Sequence, residues 1–151
     1  NADGVVLRLV NLCGPHPSPE TFLGKVLRML HDAGTTGTVA LTVAPARRDY
    51  LDVRDAAQAV VAAAGAELGP DRAVNIGSGH AVELRELVLM LAAEAGVAPD
   101  RLDIDGRSVN SLGGEWTQAD ISRAGALLGW HPRIELRESL GDMWRSAALA
   151  S

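Results

Sequence analysis

The stretch RRDYLDVRDAAQAVVAAA, Arg47 to Ala64, followed by RAVNIGSG, Arg72 to Gly79, decides the fold. Paired arginines lead into a short extended segment, Arg48 to Leu51. Asp52 then stands where a helix N-cap belongs, with Asp55 at N3. A helix of small residues follows, with Val53, Ala56, Ala57, Val60, Val61 and Ala64 expected on its core face. Such small side chains let a helix lie close against a sheet. Arg72 to Ile76 reads as a buried strand, and Gly77 to Gly79 as a turn that exploits glycine's backbone freedom. Alternation of strand and helix is the pattern of an α/β protein.

The same alternation extends in both directions. Val5 to Val10 is a β-branched and leucine run broken only by Arg8, as expected of a parallel strand covered on both faces. A guanidinium in such a strand would need a partner. Three prolines between Pro15 and Pro19 end the strand, and a helix is expected from about Ser18–Glu20. Its apolar stripe is Phe22, Leu23, Val26, Leu27 and Leu30, closed by Gly34 and Gly37. Thr38 to Val43 reads as a strand. Leu84, Leu87, Val88 and Leu91 mark a helix that stops near Gly96, and Leu102 to Ile104 a short strand. The polar, glycine-rich run Gly106 to Glu115 reads as a mobile loop. Ile121, Ala124, Leu127 and Leu128 define a further helix ending at Gly129. Leu136, Leu140, Met143, Trp144 and Ala147 define the last.

Composition narrows the function classes. At 151 residues the chain suffices for one domain with a real core. Only 3% of residues are aromatic, so that core rests on Leu, Val and Ala. A net charge of −5 and a pI near 5.3 argue against a nucleic-acid surface. Cys13 is alone, which excludes an intrachain disulfide and implies a reducing, cytoplasmic setting. No apolar run approaches the roughly 20 residues that a membrane helix needs. The histidines are scattered, with no cluster at metal-ligand spacing. No nucleophile elbow is present. Asn75-Ile-Gly77-Ser-Gly79 lacks both the spacing of a dinucleotide fingerprint and the length of a phosphate loop.

Arg48-Asp49-Tyr50-Leu51-Asp52-Val53-Arg54-Asp55, Arg8-Leu-Val-Asn11-Leu-Cys-Gly14-Pro15 and Leu128-Gly-Trp-His-Pro132 belong together. With them the chain resembles the extended short-chain dehydrogenase/reductase family of nucleotide-sugar epimerases, dehydratases and reductases. The resemblance runs from Val5 to about Trp144. It implies the C-terminal part of a Rossmann-like parallel sheet plus the small α/β substrate-binding lobe. Residues 1–151 would be the C-terminal portion, with the N-terminal dinucleotide-binding part absent. A start without Met that enters a strand almost at once fits a piece of a longer protein.

The resemblance also implies roles. Asn11 would hydrogen-bond the diphosphate or sugar of a nucleotide-sugar, and the backbone at Val10, Asn11 and Leu12 would approach the nicotinamide of NAD or NADP. Arg48 would grip the substrate diphosphate through paired charged hydrogen bonds. Arg107 would clamp the phosphates from the small lobe, by location alone, and His80 would border the substrate. One departure stands out: a glycine-rich turn usually precedes the family's arginine, and here it is Val43-Ala-Pro45-Ala-Arg47.

The family's Tyr-x-x-x-Lys pair is not among these residues. The single tyrosine is Tyr50, followed by Arg54 four residues on, and the single lysine is Lys25. No catalytic residue is therefore assigned. The expected function is the substrate-binding portion of an NAD(P)-dependent epimerase, dehydratase or ketoreductase, inactive as this chain alone. A reductase of a non-sugar carbonyl and a non-catalytic truncated binding protein remain as alternatives. A separate N-terminal polypeptide or a second copy would be its macromolecular partner.

Overall fold

In the computed structural model, residues 4–34, 36–67, 72–106 and 114–148 are described. Among the described residues, eight strands and five α-helices, with one short 3-10 turn, follow one another along the chain. The order is β1 (Val6–Leu9), β2 (Asn11–Cys13), α1 (Phe22–Ala33), β3 (Val39–Thr42), β4 (Arg47–Asp52) and α2 (Val53–Ala64). It continues with β5 (Ala73–Ile76), β6 (Ala81–Glu83), α3 (Leu84–Glu94), β7 (Leu102–Asp105), β8 (Trp116–Thr117), α4 (Ser122–Leu128) and α5 (Leu136–Ala148). The α/β class expected from sequence holds.

β1 and β5 pair in parallel, with Val6 opposite Ala73 and Leu9 opposite Ile76. β1 then gives way directly to β2, which leaves β5 and pairs in parallel with β4. β4 also takes β6 antiparallel and β8 parallel. β3 and β7 form a separate parallel pair. Side chains alternate across a strand, and β4 uses both faces. Tyr50 packs with Cys13, Leu27, Leu87 and Met143 in one cluster, whereas Leu51 packs with Ala56, Val74, Ile76 and Trp130 in the other. β4 is thus the seam between the β1–β5 layer and the lobe built on α1, α3 and α5.

Several expectations change. β1 is not covered on both sides: it pairs with β5 alone among the described residues, and Val6, Arg8 and Leu9 are exposed. α1 starts at Phe22, because Pro19 and the bonds from Thr21 N and Oγ1 to the Ser18 carbonyl make a turn, and Thr21 caps the helix through Gly24 N. Leu23, Val26, Leu27 and Leu30 are buried as expected. α2 shows the largest revision. It buries Asp55, Ala56, Ala59 and Ala63, while Val53, Ala57, Val60, Val61 and Ala64 face outward. Its flattest stripe lies on Leu51, Val74 and Ile76. Strands β6 and β8 were not foreseen. Most of the glycine-rich run, including Arg107, lies outside the described residues.

Candidate functional site

The strand from Val6 to Cys13 changes partner at Val10, and this switch organises the site. Val10 N still donates to the Ile76 carbonyl at 3.1 Å. One residue later Asn11 stands opposite Tyr50 on β4, and its Nδ2 donates to the Asp49 carbonyl at 3.2 Å. Asn11 therefore sits beyond the carboxyl ends of β1 and β5, where open α/β sheets receive ligands. Val10 is half-buried there, and Leu12 is exposed.

Asp49 ties this region together. Its side chain is buried, and each oxygen accepts two hydrogen bonds. Oδ1 takes Ser78 N at 2.9 Å and Ser78 Oγ at 2.6 Å; Oδ2 takes Ala119 N at 3.0 Å and Gly79 N at 3.1 Å. One carboxylate thus locks the turn after β5 and the segment before α4 onto β4. Gly77 is required at this junction. A Cβ there would stand 2.7 Å from Ala119 Cβ, 2.8 Å from Asp49 Oδ2 and 2.9 Å from Val10 Cγ1.

The two arginines that open β4 diverge. Arg48 is 7% exposed, and its guanidinium donates to the Arg47 and Gly114 carbonyls. It anchors the end of the glycine-rich run. Arg47 is half-exposed, donates to the Ala81 carbonyl at 3.0 Å and pairs with Glu83 at 3.4 Å. Glu83, at the N-cap position of α3, makes no side-chain cap there and pairs with Arg47 instead. Both side chains line a cavity of about 460 Å³, floored by Val43, Pro45, Leu84 and Ile104. Trp116, opposite Arg47 in register, stands at its rim and is 62% exposed.

Along β4, Arg47 and Arg48 stand at the head and Asn11 lies opposite Tyr50, two residues beyond Arg48; of the three, only Arg47 lines the cavity. His80 is not part of that cavity. It is exposed along a separate cleft of about 610 Å³ lined by Tyr50, Ser78, Met90 and Pro132. Arg107 lies outside the described residues, next in sequence to Gly106 on the cavity wall. Sequence reasoning missed Asp49, Arg47 and Trp116 as parts of the site. The signal for Trp116 was present: a tryptophan beside a polar loop in a chain with few aromatics.

Behind Asn11 a polar cluster holds β2, β4, α2 and α5 in place. Cys13 Sγ meets Ser139 Oγ at 3.2 Å, and burial pushes the Cys13 thiol up to about 11. It is a neutral packing group at physiological pH, not a nucleophile. Burial likewise pushes the Tyr50 phenol up to about 12. Asp52 caps α2 by accepting from Arg54 N and takes the Arg54 guanidinium at 2.8 and 2.9 Å. Burial alone would raise the Asp52 carboxyl, yet hydrogen bonds from Arg54 and Ser139 hold it below its ordinary value. Arg54 also reaches Asp142 on α5 at 2.7 Å. Asp55 does not close the capping box: its Oδ2 accepts from Arg133 N and Ile134 N, both at 2.9 Å, while its carbonyl takes Trp130 Nε1. That is how the Leu128–Pro132 turn is fastened.

Among the described residues no three His, Cys, Asp or Glu side chains could hold a metal ion. No helix among them is long and apolar enough to cross a membrane.

Residues 1–77 match the family described as NAD dependent epimerase/dehydratase. The dTDP-6-deoxy-L-talose 4-dehydrogenase (NAD(P)(+)) of Kitasatospora kifunensis is 35% identical over 97% of this chain and 47% of its own length. The structure of RMD from Pseudomonas aeruginosa complexed with NADPH superposes with a TM-score of 0.83 at 22% identity, covering 97% of this chain and 49% of that one. The UDP-glucuronic acid 4-epimerase of Bacillus cereus, in complex with UDP-glucuronic acid and NAD, gives 0.81 at 19% identity, covering 97% and 46%. The chain spans about half the length of the curated relatives it matches. The Rossmann-like parallel pairing of β1 with β5 and the matched stretch agree: the chain belongs to the NAD dependent epimerase/dehydratase family.

Proposed function

We propose that residues 1–151 form the C-terminal, substrate-binding portion of an NAD(P)-dependent epimerase, dehydratase or ketoreductase acting on nucleotide-sugars. One observation carries this reading: Arg47 and Arg48 open β4 beside a cavity of nucleotide size, with Asn11 on the neighbouring strand. Guanidinium groups suit a diphosphate because their planar fork offers paired donors of fixed geometry. In this reading the diphosphate lies across the head of β4, met by Arg47 from the cavity side, while Arg48 beneath holds the chain at Gly114 that borders it. Asn11 holds the sugar end. Arg107, next in sequence to cavity-lining Gly106, is proposed as a further phosphate ligand. His80, on the other cleft, falls outside this reading. The relatives support it: one is named for a dTDP-linked sugar and another was solved with UDP-glucuronic acid.

NAD or NADP supplies the hydride acceptor and donor of this chemistry when bound. The residues here offer it a border. The backbone at Val10, Asn11 and Leu12 lies beyond the carboxyl ends of β1 and β5, with Leu12 exposed. The Gly77-Ser78-Gly79 turn does not hold its pyrophosphate, because the Ser78 and Gly79 N–H groups are committed to Asp49. Tyr50 and Lys25 do not make the acid/base pair, so this chain binds and orients while the proton-transfer groups lie elsewhere.

The test is NAD(P)H-linked turnover of the full-length polypeptide with dTDP-, UDP- and GDP-sugars, comparing wild type with Arg47→Ala and Arg48→Lys. Each charge-assisted hydrogen bond lost costs about 1.5–3 kcal/mol, so KM should rise about 10- to 150-fold with kcat little changed. No turnover and no binding of any nucleotide-sugar by the wild type sinks the reading.

A further inference from the structure

We propose that the cleft between β4, α3 and the start of α5 is a second binding site, for a neutral apolar compound with one hydroxyl or carbonyl at its buried end. Strand pairing creates the cleft. β6 covers β4 only from Arg47 to Asp49, so from Tyr50 onward β4 has no strand neighbour on that side among the described residues. The segment from His131 to Leu136, fastened to Asp55 through Arg133 N and Ile134 N, forms the opposite wall, and about 610 Å³ lies between. Tyr50 is the group that points to a ligand. It is 8% exposed and lines the cleft. No hydrogen bond within the described residues reaches its hydroxyl, whose oxygen keeps some contact with solvent. A buried tyrosine hydroxyl ordinarily finds a partner. Its ring packs with Cys13, Leu27, Leu87 and Met143, and that packing fixes where the hydroxyl stands. Val82, Met90, Ile121 and Leu136 supply apolar walls. The other polar groups of the lining are engaged or balanced. Asp52 is taken by Arg54 and Ser78 by Asp49. The exposed rim sets Glu86 and Glu135 against Arg133 and Arg137, with His80 and His131 beside them, so the formal charges cancel and select neither an anion nor a cation. Apolar walls with one deep polar group suit a neutral ligand.

The experiment is a methyl NMR titration of the full-length polypeptide, labelled at methionine and isoleucine, with p-cresol, toluene and p-toluate. p-Cresol and toluene share an apolar body and differ by the hydroxyl, and p-toluate carries a charge in its place. In wild type the Met90 and Ile121 methyl signals should shift with p-cresol. The ratio of p-cresol to toluene affinity should be about 2- to 12-fold higher in wild type than in Tyr50→Phe, the factor expected of one neutral hydrogen bond. Tyr50→Phe removes a single oxygen, and its ligand-free spectrum reports whether the core is intact. p-Toluate should bind no more tightly than p-cresol. A wild type whose Met90 and Ile121 signals do not move overturns the site. A ratio that is unchanged in Tyr50→Phe overturns the role of the hydroxyl. Tighter binding of p-toluate than of p-cresol overturns the neutral ligand class.

Discussion

Replacing Asp49 with asparagine should destabilise the protein nearly as much as replacing it with alanine. Asparagine is close in shape to aspartate, so this outcome separates charge and acceptor count from packing. Both carboxylate oxygens accept two hydrogen bonds, from Ser78 N and Oγ on one side and from Gly79 N and Ala119 N on the other. An amide NH2 on either side would point its donors at N–H or O–H groups that already donate. In Asp49→Ala, four donors lose a charged acceptor, each such bond contributing about 1.5–3 kcal/mol. These donors are only partly buried, so water entering the vacated space recovers some of that. A net loss of about 3–5 kcal/mol remains for alanine and about 2–4 for asparagine. With a urea m-value of about 2 kcal/mol/M, the midpoint falls by roughly 1.5–2.5 M for alanine and 1–2 M for asparagine, against a total stability of about 5–15 kcal/mol. Urea titration followed by tryptophan fluorescence and far-UV circular dichroism measures it. An asparagine variant within about 0.5 kcal/mol of wild type would refute the acceptor-only reading of this carboxylate.

Two further outcomes follow from the same region. Gly77→Ala sets a Cβ against Ala119, Asp49 and Val10 at 2.7–2.9 Å, and overpacking of this kind costs about 1–3 kcal/mol; a midpoint equal to wild type in urea would show that the junction can open. The Asp52 carboxyl, held below its ordinary value by Arg54 and Ser139, stabilises the fold above its unfolded pKa of about 3.9. That contribution disappears as pH falls below about 4. Wild type should therefore exceed Asp52→Asn in urea midpoint at pH 7, with the gap closing toward pH 3. A gap constant with pH would count against the ion pair.

Much of the fold was legible because local signals agreed. α1 and α3 carry apolar residues at helical spacing between glycines, and their stripes bury as read. Asp52 as N-cap was legible from residue type and position alone. Other features were not, for identifiable reasons. α2 carries two apolar stripes, and counting hydrophobicity selects the valines. The sheet selects Ala56, Ala59 and Ala63, because only small side chains let the helix axis come close over Val74 and Ile76. β6 and β8 are three and two residues long, too short to carry a period of two. They exist because β4 offers them hydrogen-bonding edges.

The site divides along the same line. Arg48 and Asn11 were readable as a pair of motifs, yet their separation in sequence said nothing of their placement. The parallel register of β2 with β4 sets Asn11 opposite Tyr50, two residues along the strand from Arg48. Which arginine faces the cavity depends on strand alternation and on a carbonyl 66 residues away at Gly114. Asp49 reads in sequence as a charge between two functional residues; in the structure it is the acceptor that closes a turn 29 residues on. Residue type and spacing by themselves determined the alternating elements, the caps and the family motifs, because those depend on neighbours within a few residues. The tertiary structure alone decided which faces are buried and which side chains converge, because a hydrogen bond or a close approach between distant segments has no local period to announce it.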